Sequence, residues 1–261
     1  MQRIPIRLNK EDIPVAFHPF LEDAAVFDSS CSRAARVYFL DKDTGFYLKT
    51  AAGGTLQKEA ELTSFFHKNG LSAEVLLYES GENDWMLTRK IHGEDCIDPA
   101  YLNDPVRLCD TTAQLLRRLH ETAFSGCPVA DRTADYLSAA RKNYEKKAYD
   151  VDLFPDNWGY ASAEEAWAVL EATGKYLKTD TLLHGDYCLP NILLNNWDFA
   201  GFIDLDAGGV GDRHVDLFWG MWSLQFNLKT DRYKDRFLDA YGRDKVEEGI
   251  FRTIAAAEVF G

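Results

Sequence analysis

Short apolar segments separated by turn-forming residues occupy the first ninety residues of the chain. Between residues 24 and 50, the segments AAVF, ARVYFL and GFYLKT are rich in β-branched and aromatic residues, and DKDTG before the last strand is typical of a hairpin turn. EVLLYES and DWMLTRKI follow between residues 74 and 91. From Leu56 to Lys68, apolar residues instead recur with helical period. The pattern predicts a small five-stranded antiparallel sheet with one helix.

Helical spacing dominates the chain after His92. Leu108, Thr112 and Leu119 lie at such spacing in one segment, and further helices are predicted at 133–147, 162–177, 212–227, 231–241 and 244–258. Between them, TLLHGDYCLPNILLNNWDFAGFIDLD combines short apolar segments with polar turns, which predicts strands and loops. The chain is therefore predicted to be an α+β protein, with a small antiparallel β lobe at 1–92 and a larger, mainly helical lobe at 93–261.

Composition and charge narrow the classes of function. Hydrophobic residues make up 46% of the 261 residues and the formal net charge is −13, which argues against a nucleic-acid or anionic-membrane partner. The N-terminal segment is mixed rather than basic and then apolar, and no apolar run reaches the length of a membrane span. The five cysteines are scattered and form no CxxC pair, which predicts reduced thiols and a cytoplasmic location.

One group of polar residues has the composition that phosphoryl transfer requires. His184-Gly185-Asp186 precedes Asn191 by five residues, and Asp204 follows the apolar segment FAGFI. Such a reaction needs a carboxylate beside the attacking hydroxyl, which predicts Asp186 as the catalytic base, and oxygen ligands for Mg²⁺, which predicts Asn191 and Asp204. Each piece alone is typical of an ordinary turn, and a hydrolytic metal site would need further ligands. The combination favours a kinase.

The same segments resemble a known family. HGDYCLPNILL followed by GFIDLDAGGVGDRHVDLFW is similar to the catalytic segment of aminoglycoside phosphotransferases, particularly the 3′-phosphotransferase (kanamycin kinase) group. The similarity extends in order over nearly the whole chain. It implies a protein-kinase-like two-lobe fold and the transfer of the γ-phosphate of ATP or GTP, with Mg²⁺, to a hydroxyl of an aminoglycoside antibiotic.

The resemblance also implies a nucleotide site in the first lobe. Lys49 matches the lysine that contacts the α- and β-phosphates, Glu59 matches its ion-pair partner, and Tyr47 matches an aromatic residue that packs on the adenine. The stretch from Arg89 to Ile91 lies in the matching hinge, whose backbone pairs with the adenine edge. Ser32 lies in the phosphate-covering loop, which contains no glycine here.

Two further matches concern the second lobe. Asp216 matches a buried aspartate that braces the catalytic loop through backbone N–H groups. After Asp204-Leu205 many relatives have Gly-Arg, whereas this chain has Asp206-Ala207, so a cation that could stabilise the transferring charge is missing.

The predicted acceptor is a polycation, which needs several carboxylates facing a wet cleft. The family places these in the helical insertion and at the C-terminus, which here predicts Asp156, Glu258 and the chain end at Gly261 as substrate-binding groups. A solvated acidic face is the ordinary alternative.

Two other functions stay open: a kinase for choline, a sugar or a macrolide, and a nucleotide-binding pseudokinase. The chain is expected to be a monomer or weak dimer.

Overall fold

The computed structural model describes residues 3–31, 34–149 and 159–261. The chain forms two compact units, one extending to Glu94 and including Leu193–Asp206, the other comprising Asp95–Ile192 and Ala207–Gly261. The strands of the described residues are β1 Ile4–Pro5, β2 Ala25–Asp28, β3 Arg36–Asp41, β4 Phe46–Ala52, β5 Val75–Glu79, β6 Asn83–Arg89, β7 Glu94–Asp95, β8 Thr181–Leu183, β9 Ile192–Asn195, β10 Asp198–Phe202 and β11 Gly209–Gly211. The helices are α1 His18–Leu21, α2 Gln57–Lys68, α3 Pro99–Leu102, α4 Pro105–His120, α5 Arg132–Lys146, α6 Ala163–Thr173, α7 His214–Leu228, α8 Lys234–Tyr241 and α9 Glu248–Glu258. None of these helices combines the length and apolar character that a bilayer crossing requires.

The sheet of the first unit has six strands in the order β1-β2-β3-β4-β6-β5, and its neighbouring strands pair antiparallel. The prediction of five strands was therefore wrong by one. The additional strand is β1, in which Ile4 pairs with Asp28 and Pro5 with Phe27. Two residues are too few to show the alternation on which strand prediction rests. A short helix that was not predicted, α1, lies between β1 and β2.

The two faces of this sheet carry different side chains, because successive residues of a strand point to opposite sides. One face packs against the N-terminal segment in an apolar cluster, which contains Ile13, Phe17, Leu21, Leu40, Phe46, Leu48, Trp85 and Leu87. On the other face, Met86 packs with Leu56 and Ala60 of the α2 region. Lys49 is the register partner of Met86, so its side chain stands on the α2 face.

A buried carboxylate anchors the beginning of α2. Asp84 in β6 is 0% exposed and accepts hydrogen bonds from the backbone N–H groups of Gly54 (2.9 Å) and Leu56 (2.8 Å) and from the hydroxyl of Ser80 (2.6 Å). Burial alone would raise the pKa of Asp84, but these hydrogen bonds lower it below its usual value. The position of α2 is thus tied to the β5–β6 hairpin.

Asp84→Ala is expected to destabilise the protein by about 2–4 kcal/mol, because it leaves the buried backbone N–H of Leu56 and the part-buried N–H of Gly54, just before α2, without their acceptor. Chemical denaturation with a two-state fit measures the change in free energy of unfolding. Glu82→Ala is the matched control, since Glu82 is exposed in the same hairpin. Equal stability of the two variants would contradict this role of Asp84.

The second unit is built from helices around the β8–β11 pair. The helices predicted at 133–147, 162–177, 212–227, 231–241 and 244–258 are present as α5 to α9, with ends shifted by a few residues. A core cluster joins α5, α6, α7 and α9 and includes the fully buried Phe260, whose ring lies 5.4 Å from that of Tyr144 and 5.9 Å from that of Trp167. The segment that follows α9 is therefore packed into the core.

Candidate active site

The loop after β8 contains Asp186 and is shaped by Gly185. Gly185 has φ +87°, and a Cβ atom there would lie 1.9 Å from the carbonyl oxygen of Ala207, so only glycine fits. The backbone N–H of Cys188 then donates to the carbonyl of Asp186 (2.8 Å), and that of Asn191 to the carbonyl of Cys188 (2.9 Å). These bonds turn the chain so that Asn191 comes back beside Asp186.

Asp216 in α7 holds the backbone of this loop by hydrogen bonds. Its two carboxylate oxygens accept the backbone N–H groups of His184 and Gly185, each at 2.8 Å, as the resemblance implied. His120 Nε2 lies 3.1 Å from the same carboxylate, and His120 Nδ1 lies 2.8 Å from the hydroxyl of Tyr241. Asp216 and the side chain of His120 are completely buried. The loop is therefore fixed by a buried network that does not include the side chain of Asp186.

Asp186 and Asn191 are in direct contact. The Asn191 amide nitrogen donates to Asp186 Oδ2 at 2.9 Å and to the Asp186 carbonyl at 3.1 Å. This orientation uses the amide nitrogen and leaves the amide oxygen as the remaining acceptor of the Asn191 side chain. An amide oxygen is a ligand that Mg²⁺ accepts, so Asn191 fits the predicted role by its chemistry.

Lys49 in the first unit is held by two carboxylates. Its Nζ lies 2.8 and 2.7 Å from the two oxygens of Glu59 in α2, and 3.2 Å from Asp204 Oδ1. Burial disfavours the charge of Lys49, but Glu59 and Asp204 outweigh it and raise the pKa of Lys49 above its usual value. The predicted pair of Lys49 and Glu59 is thus formed, and Lys49 stays charged at neutral pH.

Asp204 follows β10 in an uncommon backbone conformation. Its φ is +60°, in the left-handed region that costs a non-glycine residue about 1 kcal/mol and that aspartate tolerates better than most. The backbone of β10 is fixed nearby by the bond from Phe202 N–H to the Leu71 carbonyl (2.7 Å). The Asp204 side chain is 52% exposed, so its carboxylate can receive a cation as well as Lys49.

Two of the residues predicted around the nucleobase, Tyr47 and Arg89, lie on the neighbouring strands β4 and β6, and Ile91 lies just after β6. Tyr47 precedes Lys49 by two residues and so shares its face of the sheet. Arg89 pairs with Glu74 (3.1 Å), and Arg89 and Ile91 line an open cavity of about 400 Å³. The residues lining this cavity are His67, Ser72, Ala73, Glu74, Arg89, Lys90, Ile91, His92, Asn195, Asp198, Phe199 and Ala200. Neither Lys49 nor Tyr47 is among the residues that line this cavity.

Comparison with known proteins decides the family. A family model described as "Phosphotransferase enzyme family" matches residues 31–251, most of the chain. The chain belongs to this family. Similar proteins include a probable aminoglycoside 3′-phosphotransferase from Lactococcus lactis subsp. lactis (strain IL1403), 48% identical over 257 residues that cover 98% of each chain. The predicted family and the predicted class of enzyme, a phosphotransferase, are confirmed.

Solved structures agree with this assignment. The crystal structure of an aminoglycoside-3′-phosphotransferase of type VIII has a TM-score of 0.72 and 25% identity, and the match covers 90% of this chain and 91% of the other. The aminoglycoside phosphotransferase APH(3″)-Id from Streptomyces rimosus ATCC10970, in complex with ADP and streptomycin, has a TM-score of 0.73 and 22% identity, with 97% and 99% coverage. The second likeness shows the fold alone. The predicted α+β fold of the kinase-like family is confirmed.

Two of the predicted residues of this phosphotransferase, Ser32 and Asp156, lie outside the described residues. One acid after Asp156 has a structural contact: Glu165 accepts the backbone N–H of Ala161 (2.9 Å), and its own N–H donates to the hydroxyl of Ser162, the N-cap of α6 (3.2 Å). Glu165 therefore helps to cap the N-terminus of α6.

Glu258, predicted to bind the acceptor from a wet cleft, is half-buried and hydrogen-bonded within the protein. Its Oε1 accepts hydrogen bonds from the hydroxyl of Tyr136 (2.6 Å) and from Nε1 of Trp219 (3.1 Å). Burial raises the pKa of Glu258 to about 7, although both of these bonds and Arg132 act in the opposite direction. Gly261 is exposed, and its backbone N–H donates to the carbonyl of Glu258 (3.2 Å), so the two predicted residues do lie together.

Cysteine chemistry has no place in this site. All five cysteines are free thiols. Burial raises the pKa of Cys96, Cys127 and Cys188, and that of Cys109 to about 12, which disfavours the reactive thiolate. Within residues 3–31, 34–149 and 159–261, no group of three or more His, Cys, Asp or Glu side chains could hold a metal ion.

Two buried polar residues were not predicted from the sequence. Asp84 anchors the beginning of α2, and His120 contacts Asp216 behind the loop of Asp186. His120 lies one turn after Leu116 on the buried face of α4, and this apolar position was the one available signal. For Asp84 no such signal exists, because an aspartate after a turn is normally exposed.

Proposed function

We propose that this phosphotransferase transfers the γ-phosphate of ATP or GTP to the 3′-hydroxyl of an aminoglycoside antibiotic. The observation that carries the proposal is the 48% identity, over 98% of both chains, with the probable aminoglycoside 3′-phosphotransferase of Lactococcus lactis. A cytoplasmic location, where nucleoside triphosphates are abundant, and a monomer or weak dimer fit this reaction.

The first unit is proposed to bind the nucleotide. In this role Lys49 contacts the α- and β-phosphates, while the two bonds from Glu59 hold its ammonium group at one point. Tyr47 packs on the base from the same face of the sheet. The backbone of the hinge, from Arg89 to Ile91, pairs with the edge of the base, and Ser32 belongs to the loop over the phosphates. Residues 1–92 are accordingly proposed as the nucleotide-binding lobe.

The second lobe, residues 93–261, is proposed to carry the catalytic step and the acceptor. Asp186 orients the acceptor hydroxyl and accepts its proton, and its position is supported by the rigid loop around it. Asn191 and Asp204 are proposed to hold Mg²⁺, for which their amide and carboxylate oxygens are suitable donors. When bound, Mg²⁺ neutralises charge that develops on the phosphates.

Acidic groups are proposed to recognise the ammonium groups of the acceptor. Glu258 together with the chain near Gly261 forms one such group, and Asp156 is proposed as another. The net charge of −13 supports a cationic ligand, since exposed pairs contribute only about 0.2–1 kcal/mol each and several must act together.

Steady-state turnover of ATP and of GTP, measured with a panel of acceptors, tests the proposal. The panel contains aminoglycosides, choline, sugars and macrolides. Stimulation by aminoglycosides alone is the expected result. Stimulation by another alcohol and by no aminoglycoside would instead support a kinase for that acceptor, and nucleotide binding without any turnover would support a pseudokinase.

Glu258 is expected to make stability depend on pH. Its pKa is about 7 in the folded protein and about 4.5 in the unfolded chain, so the folded state binds a proton that the unfolded state has lost between these values. The stabilising contribution is complete below pH 4.5 and is lost as pH rises through 7. Relative to Glu258→Gln, which stays neutral, the wild type should lose about 3 kcal/mol over this range.

Denaturation at a series of pH values measures this difference. Glu164→Gln serves as the control, because Glu164 is an exposed acid in the first turn of α6. Parallel stability profiles for wild type and Glu258→Gln would show that burial does not raise the pKa of Glu258.

A further inference from the structure

The N-terminal strand β1 places an arginine on the face of the sheet that carries Lys49. Backbone pairing with β2 fixes this segment, and Ile6 N–H extends it by donating to the Val26 carbonyl (3.0 Å). Arg3 precedes the strand and is exposed. Its guanidinium carbon lies 3.7 Å from the centroid of the Phe39 ring, and its Nη2 lies 3.3 Å from the hydroxyl oxygen of Tyr47.

The residues under Arg3 form a row across adjacent strands. In the strand register Pro5 is opposite Phe27, Phe27 opposite Phe39, and Phe39 opposite Tyr47. The ring centroids of Phe27 and Phe39 are 6.1 Å apart, and those of Phe39 and Tyr47 are 5.3 Å apart. Residues directly opposite one another share a face, so the row stands beside Lys49 on that face.

We propose that Arg3 is a positioning residue of the nucleotide site, which fixes the ring of Tyr47 for the nucleobase. The inference rests on the proposed function, in which Tyr47 packs on the base and Lys49 contacts the phosphates. The hydrogen bond holds the hydroxyl end of the Tyr47 ring. Stacking on Phe39 holds the guanidinium, and the pairing of β1 with β2 holds the backbone of the arginine segment.

Fixing Tyr47 before the nucleotide arrives strengthens binding, because less side-chain freedom is lost when the base packs against the ring. Arginine suits this position better than a shorter donor. Its planar guanidinium can stack on one ring and donate in its own plane to a second. The effect of Arg3 should therefore depend on the hydroxyl of Tyr47 and on the presence of a base in the ligand.

Isothermal titration calorimetry of the full chain with Mg·ADP tests the inference without an acceptor. Arg3→Ala should weaken ADP binding about three- to tenfold, the range expected for a single hydrogen bond. Tyr47→Phe should lose a similar factor, and the double variant should lose no more than either single one. Arg3→Lys keeps the charge and a donor, so it should recover part of the affinity.

Three controls separate positioning from charge and from folding. Arg7→Ala removes the same charge from an exposed position in the same segment and should bind ADP within about twofold of wild type. Mg·pyrophosphate, which lacks a base, should bind wild type and Arg3→Ala equally. The melting temperature of Arg3→Ala should stay within about 2 °C of wild type.

The inference is overturned if Arg3→Ala binds ADP like wild type, or if its loss persists unchanged in the Tyr47→Phe background. An equal loss for Arg7→Ala, or for pyrophosphate, would assign the effect to charge and overturn it as well. If the wild type itself bound no nucleotide, the proposed function would fail, which is a distinct result.

Discussion

Asp186→Ala is expected to lower kcat by about 10²–10⁴-fold while the affinity for nucleotide stays close to that of the wild type. The proposed task of Asp186 is to orient the acceptor hydroxyl and accept its proton, which concerns the transfer step alone. The fold of the loop should survive the change, because Asp216 holds the backbone N–H groups of His184 and Gly185 independently of the Asp186 side chain.

Single-turnover kinetics together with calorimetry of ADP binding separate these two effects. Asp180→Ala is the matched control, since Asp180 is an exposed aspartate that directly precedes β8. The Asp186 variant also removes one partner of the Asn191 amide, so circular dichroism should confirm an unchanged fold. Activity within a few-fold of wild type would show that this carboxylate is not the base.

Asp204→Asn is expected to have the second large effect. It should lower turnover and raise the concentration of Mg²⁺ that turnover requires. A neutral amide is a weaker ligand for a hard cation than a carboxylate, so half-maximal turnover should require at least about tenfold more Mg²⁺. Lys49 should stay in place, because its two bonds to Glu59 remain when the contact with Asp204 loses its charge.

Turnover measured as a function of free Mg²⁺ gives both the maximal rate and the Mg²⁺ concentration at which the rate is half-maximal. Asp206→Asn offers a neighbouring control in which one carboxylate is likewise replaced by an amide. Full turnover of the wild type in excess chelator would rule out the proposed participation of magnesium altogether.

The elements that sequence reasoning could predict are those with a long periodic pattern. Helices α4 to α9 each repeat apolar residues over two or more turns, and strands β2 to β6 are bounded by clear turn residues. The group of Asp186, Asn191 and Asp204 could also be found, because several residue types at fixed spacing are a rare coincidence.

The features that escaped prediction depend on tertiary contacts. Strand β1 is too short to show a pattern, and its pairing with β2 places Arg3 beside a residue forty-four positions away. Asp84 is buried and Glu258 is half-buried, and because their partners come from other elements, this burial is invisible in the sequence. Glu258 in particular was predicted as an acceptor-binding acid facing a wet cleft, and its Oε1 accepts hydrogen bonds from Tyr136 and Trp219.

The most direct test of the proposed function follows the γ-phosphate of labelled ATP into the acceptor. Kanamycin B and tobramycin differ only at the 3′ position, where tobramycin lacks the hydroxyl, so they form a matched pair of cationic acceptors. We expect label in kanamycin B and none in tobramycin, and labelling of kanamycin B about 10²–10⁴-fold slower with Asp186→Ala. Labelling of both compounds would contradict transfer to the 3′-hydroxyl. Labelling of neither, with transfer to choline, a sugar or a macrolide, would contradict the aminoglycoside kinase itself.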